Sequence, residues 1–236
     1  MGAKLPSRML GVVLATLVAV LVLGATKSGF VERFDVKPAS LASEGKAPYF
    51  VLEPGYVMEY EGTEKGSAKV EARVTVLNRT MTMAGAKVRV VEDRESSNGK
   101  LVELTHDYFA LDPATGNVYY FGEDVDNYEN GRVTSHAGSW RAGVKGARFG
   151  LAMPGKPAVG FGAYMESAPG IGRDRFTILD VAHTASVPAG TFKNCVRVEE
   201  TTPLEPGVKE YKVYAPGVGL IDDNGLRLVR YGKGKH

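Results

Sequence analysis

From Tyr49 onward, apolar side chains recur at every second position rather than every third or fourth, and this period decides most of what the chain can fold into. In "KVEARVTV", Val70, Ala72, Val74 and Val76 alternate with Glu71, Arg73 and Thr75, the pattern of a strand with one buried face. "AKVRVVE" repeats it, and "LVELTHDYFAL", "GNVYYFG", "RFTILDVAHTASV", "FKNCVRVEE", "KEYKVY" and "LRLVRY" are further strands. Asn98-Gly99, Asn130-Gly131 and Asn224-Gly225 each supply a pair that accepts positive φ and so closes a hairpin between neighbours. Pro113-Ala-Thr-Gly116 and Pro188-Ala-Gly190 supply two more turns. No long helical period interrupts the series, so parallel βαβ folds are excluded. The predicted fold is mainly β: an antiparallel meander forming a half-barrel, a β-clam or a sandwich, as one domain over residues 49–236.

The stretch 137–172 departs from this grammar. It is rich in Gly and Pro and reads as a long irregular crossing, with short strands around Trp140 and Phe161–Met165. A loop of that length is a candidate for function or for capping an open barrel end.

Ahead of the β domain, Lys4 and Arg8 precede "MLGVVLATLVAVLVLGA", Met9 to Ala25, seventeen residues without a charge. As a helix this run spans roughly 25 Å against a hydrocarbon core of roughly 30 Å, within range of both an anchor and a signal peptide. Val22-Leu23-Gly24 offers small residues at cleavage spacing without a clean A-x-A exit, which favours an uncleaved signal-anchor over residues 1–26. The expected location is the cell envelope, with the N-terminal helix in the inner membrane and the β domain exported. Residues 27–48 mix charge with Ser, Gly and Pro and read as a linker.

Chemistry is sparse. Net charge is +2, from 29 basic and 27 acidic residues spread along the chain, so no nucleic-acid face is indicated. A lone cysteine, Cys195, forms no intrachain disulfide and no cysteine metal cluster, and alternation puts it with Arg197 and Glu199, opposite Phe192, Asn194, Val196 and Val198. Gly150 to Pro157 meets the phosphate-loop spacing until Pro157 stands where Ser or Thr must hold Mg²⁺. His106, His136 and His183 show no H-E-x-x-H or H-x-H spacing, and no G-x-S-x-G is present, so no catalytic residue and no cofactor is implied.

The segment "FGEDVDNYENG", Phe121 to Gly131, holds the densest acid. The helix-loop-helix calcium pattern fits Asp124 and Asp126 at its first and third positions but fails at Tyr128, Glu129 and Ser135. A looser oxygen site for Ca²⁺ from Glu123, Asp124, Asp126 and Glu129 stays open beside a plain acidic hairpin loop ending at Asn130-Gly131. Pairs such as Asp107 with Asp112, or Glu123 with Asp124, are the types that glycoside hydrolysis uses. Tyr128 and Trp140 belong to an aromatic group that suits either a contact surface or core packing.

Two phrases, "SVPAGTFKNCVRVEE" from Ser186 and "YKVYAPGVGLI" from Tyr211, resemble the C-terminal part of exported bacterial β proteins of uncharacterised function. These look like the lipoprotein-carrier (LolA/LolB-like) and TapB-like β-clams. The resemblance covers about a quarter of the chain. It implies an envelope location and a hydrophobic concavity, brings no catalytic residue, and departs from the lipoproteins in lacking their anchoring Cys. The expected function is a non-catalytic, membrane-tethered accessory or scaffold subunit partnered by another membrane or envelope protein. The alternatives are a carrier holding a lipid or other hydrophobic ligand in the curved sheet, and an envelope polysaccharide hydrolase.

Overall fold

A computed structural model describes residues 29–63 and 68–234. The expected N-terminal helix and anchor, residues 1–26, lie outside the described residues. Among the described residues no helix is long and apolar enough to cross a membrane.

Among the described residues the first elements are a short 3-10 turn, Pro38–Ser40, and two short paired strands, β1 (Lys46–Ala47) and β2 (Phe50–Val51). A meander follows: β3 (Tyr56–Thr63), β4 (Lys69–Met83), β5 (Ala86–Ser97), β6 (Lys100–Leu111) and β7 (Val118–Glu129). The crossing contributes β8 (Arg132–Ser135), β9 (Trp140–Arg141), β10 (Arg148–Met153), β11 (Gly162–Tyr164) and β12 (Glu166–Ser167). A second meander completes the domain: β13 (Arg175–Val187), β14 (Gly190–Thr201), β15 (Glu210–Ala215), β16 (Gly219–Asp223) and β17 (Leu226–Lys233). The expected strands at Trp140 and at Phe161–Met165 are β9 and β11, while β10, interrupted by Gly150, had no signal of its own.

The turns follow from local chemistry. Asn98-Gly99, Asn130-Gly131 and Asn224-Gly225 all take positive φ at both residues, as the twist of a tight hairpin requires. The meander was expected to curl into a half-barrel, clam or sandwich, and it goes further, to a nearly closed barrel. The last strand, β17, pairs with the first, β3, from Arg227 opposite Glu61 to Lys233 opposite Tyr56. The sheet then runs from β11 at one end, through β13–β17 and β3–β7, to β10 and β12 at the other. Those end strands are consecutive in the chain, joined by Met165 alone, so the seam is bridged covalently. At Gly150 the backbones across the seam come so close that a Cβ would lie 2.3 Å from the Met165 carbonyl carbon; only glycine fits there.

Residues 29–48, read from composition as a linker, lie along the barrel and help seal it. Val31 adds to the free edge of β11, donating its N–H to the Gly162 carbonyl at 3.0 Å and accepting from the Tyr164 N–H at 2.8 Å. Glu32 accepts from Arg148 at 2.7 Å and from Arg173 at 3.1 Å, and Phe34 packs edge-on to Tyr119. Further on, the buried Arg89 of β5 donates to the Ser43 carbonyl at 2.8 Å and pairs with Glu44 at 3.1 Å.

The main core includes Val90, Tyr108, Phe121, Leu151 and Phe176, and a smaller core gathers Val187, Cys195, Ala215, Ile221 and Leu228. Cys195 corrects the alternation. Asn194 takes a φ of 55° in a stretch of irregular register, and the chain resumes with Cys195 and Val196 both fully buried, one in each core. Burial raises the Cys195 thiol pKa, which disfavours the thiolate.

Candidate functional site

Between the walls of the barrel lies an open-mouthed cavity of about 340 Å³, within the range of small-molecule sites. Its lining is built by cross-strand register. Val74 of β4, Asp93 of β5 and Val125 of β7 stand in one row, aligned through Thr105 of β6, and Val76, Val91, Asp107 and Glu123 stand in the next. Because side chains alternate, the neighbouring residues face away from the cavity: Tyr108, buried in the main core, and the half-buried Asp124 share that other face, where Arg141 of β9 meets both. The apolar part of the lining includes Phe50, Phe109 and Tyr120, whose rings follow one another at centroid distances of 4.9 Å.

Charge is the unusual feature. Among the described residues lining the cavity, eight are Asp or Glu and one, Lys212, is basic. Asp93, Glu103, Asp107 and Glu123 occupy the β5–β7 wall; Glu200 of β14 and Asp223 of β16 occupy the opposite one with Lys212 of β15. Lys212 Nζ lies 3.0 Å from Glu200 and 3.7 Å from Asp223. Their charges hold the ammonium well above the ordinary lysine pKa, although burial acts against it.

Among the described residues, no basic side chain stands at ion-pair distance from Asp93 or Asp107 on the β5–β7 wall. Asp93 Oδ1 is shut off from solvent and has no hydrogen-bond partner. Burial, reinforced by Asp107, Glu95, Glu103 and Asp223, pushes its carboxyl up to about 8. Burial likewise pushes Asp107 up to about 7, although the Tyr120 hydroxyl donates to it at 2.7 Å and Lys212 opposes the shift. Asp107 also stands directly opposite Glu123 in the strand register, and the charge of Glu103 adds to the upward shift of Asp107.

The acidic segment read as a hairpin loop is instead strand, since β7 runs unbroken to Glu129. A strand cannot gather four successive acids on one point, and these four separate. Glu123 lines the cavity. Asp124 faces outward, held by the Arg141 guanidinium and by the Tyr108 hydroxyl at 2.5 Å. Asp126 lies 2.8 Å from His136 Nδ1, and Glu129 is exposed at the hairpin end. Among the described residues, no three His, Cys, Asp or Glu side chains form a metal-holding group.

Tyr128 is half-buried beside Val133. Trp140, grouped with it as a contact residue, is instead 4% exposed and packs edge-on to Tyr120. The hydrolase pairs are not formed either: Glu123 and Asp124 point to opposite faces, and Asp112 sits in the β6–β7 turn bonded to Ala114 N–H and Thr115.

Of the cavity residues, Asp93, Glu103, Glu200, Lys212 and Asp223 went unremarked in the sequence. The signal was a charge in phase with a buried face: Asp93 stands two residues after Val91, and Lys212 two before Tyr214.

No protein-family model matches the chain, and no curated protein matches it. Two solved structures are similar in part. One is a protein described as exported, with a YmcC-like fold, from Bacteroides fragilis: 16% identity, TM-score 0.38, 80% of this chain against 100% of that one. The other is a protein described as a lipoprotein from Parabacteroides distasonis: 14% identity, TM-score 0.34, with the same coverage of both chains.

Proposed function

We propose that the domain is a non-catalytic binding protein that holds a small ligand inside its barrel, at the surface of a membrane to which its N-terminal apolar run tethers it. The observation that carries this reading is the cavity of about 340 Å³ with its row of aromatic rings. A β domain gains most stability by filling its interior, since close packing is what burial rewards. A space of this size lined by rings and carboxylates departs from that rule in the way ligand sites do. The tethered location rests on Met9–Ala25 and its basic leader.

The test is saturable binding of Nile red, a neutral apolar dye, to the full-length protein in lipid nanodiscs, with empty nanodiscs as the blank. Ala152 lines the cavity, so Ala152→Phe fills part of it. Saturable fluorescence at one dye per chain that is lost in Ala152→Phe supports the reading. Absence of a saturable signal, or a signal indifferent to the substitution, refutes it.

A further inference from the structure

The binding reading leaves the ligand's chemistry open, and the walls of the cavity narrow it. An ionised carboxylate out of water needs a donor or a cation, because its desolvation is otherwise uncompensated. On the β14–β16 wall the chain supplies that cation itself, as Lys212 between Glu200 and Asp223. On the facing wall Asp93 Oδ1 is buried without a partner, and Glu103 and Asp107 stand within its electrostatic reach. These acids line the space from the neighbouring strands β5 and β6, and among the described residues they do not converge as metal ligands do. Carboxylates spread in this way suit a cation whose donors point in several directions, as the three N–H bonds of an ammonium do. Beside them, the faces of Phe50, Phe109 and Tyr120 accept an apolar body and attract positive charge through their π-systems.

We propose that the cavity takes an organic cation, a protonated amine on an apolar or aromatic body, with its ammonium between Asp93 and Asp107 and its body against Phe50, Phe109 and Tyr120. The proposal rests on the binding reading and adds the sign of the ligand's charge. Lys212 is then the internal counterpart of the ligand: the same head group, supplied by the chain on one wall and by the ligand on the other.

Three probes of one shape and different charge test it: 4-phenylbutylamine, 4-phenylbutanol and 4-phenylbutyrate, titrated calorimetrically into the full-length protein in nanodiscs at pH 7.5. The expected result is an amine that binds at least about tenfold tighter than the alcohol, with no saturable binding of the carboxylate. Asp93→Asn combined with Asp107→Asn should bring the amine to within about twofold of the alcohol, in a variant whose fold is checked by cooperative urea unfolding. Asp93→Asn alone should act in the same direction. An alcohol that binds as tightly as the amine overturns the charge assignment and leaves the binding reading standing. Failure of all three probes removes both. Calcium chloride that displaces the amine one-for-one would assign the carboxylates to a metal ion and overturn the proposal as well.

Discussion

The two acidic walls of the barrel contain the same kind of side chain and treat it differently. On β14–β16, Glu200 and Asp223 flank a lysine at 3.0 and 3.7 Å; burial raises the Glu200 carboxyl, but Lys212 opposes that shift and is itself held charged by its two partners. On β5–β7, Asp93 and Asp107 have each other, Glu103 and Glu123 as neighbours, and their carboxyls are driven toward the neutral form. The contrast separates two reasons for burying a carboxylate. A paired one belongs to the fold and helps hold it. An unpaired one weakens the fold, and its natural complement is a charge from outside.

The largest expected effect comes from breaking the paired wall. Lys212→Met leaves Glu200 and Asp223 without their cation and should cost about 3–5 kcal/mol in urea unfolding at neutral pH. A loss under about 1 kcal/mol would mean that the two walls do not differ. On the other wall the sign reverses: Asp93→Asn removes an unpartnered buried acid and should stabilise the protein by about 1–3 kcal/mol at pH 8.

The same contrast predicts a pH dependence. Asp93, raised from 3.8 to about 8, and Asp107, raised to about 7, keep protons in the folded state that the unfolded chain releases above about pH 4. Their contribution is therefore fully present below pH 4 and is lost as pH rises through 7 and 8. Glu210, pushed up to about 7 chiefly by burial, and Glu200, also raised by burial, act in the same direction. Thermal unfolding at pH 5 and pH 8 checks this, and the decline should be shallower in Asp93→Asn/Asp107→Asn. The smallest effect is expected from Asp223→Asn, which weakens one of the two contacts of Lys212 and should cost about 0.5–1 kcal/mol. One substitution type, Asp to Asn, thus has opposite signs on the two walls.

Much of this architecture was legible in the sequence, because period two and Asn-Gly turns are local signals. Closure was not, because it depends on contacts between distant segments. It needs a single-residue joint at Met165, a glycine at 150 that admits a neighbouring backbone, and a strap whose Phe30, Glu32, Phe34 and Val36 alternate within a segment of linker-like composition. The bulge at Asn194, which moved Cys195 into a core, likewise interrupts a pattern that looked regular.

The charged interior was visible only in part. In "LVELTHDYFAL" both alternating sets are mixed, so the sequence does not say whether Asp107 or Tyr108 faces the barrel lumen, and both are sheltered on opposite faces of β6. The acids of β7 are dense in sequence, with Glu123, Asp124, Asp126 and Glu129 inside seven residues. The site instead combines one of them, Glu123, with acids from other strands.

The most direct test is the titration of the Asp93 carboxyl by NMR in protein carrying ¹³C-labelled aspartate, with and without 4-phenylbutylamine. The account predicts a midpoint near 8 in the free protein. It also predicts a fall of at least about one unit when the amine is bound, because a neighbouring cation favours the ionised form. A midpoint in the ordinary aspartate range in the free protein, or one that the bound amine leaves in place, would contradict it.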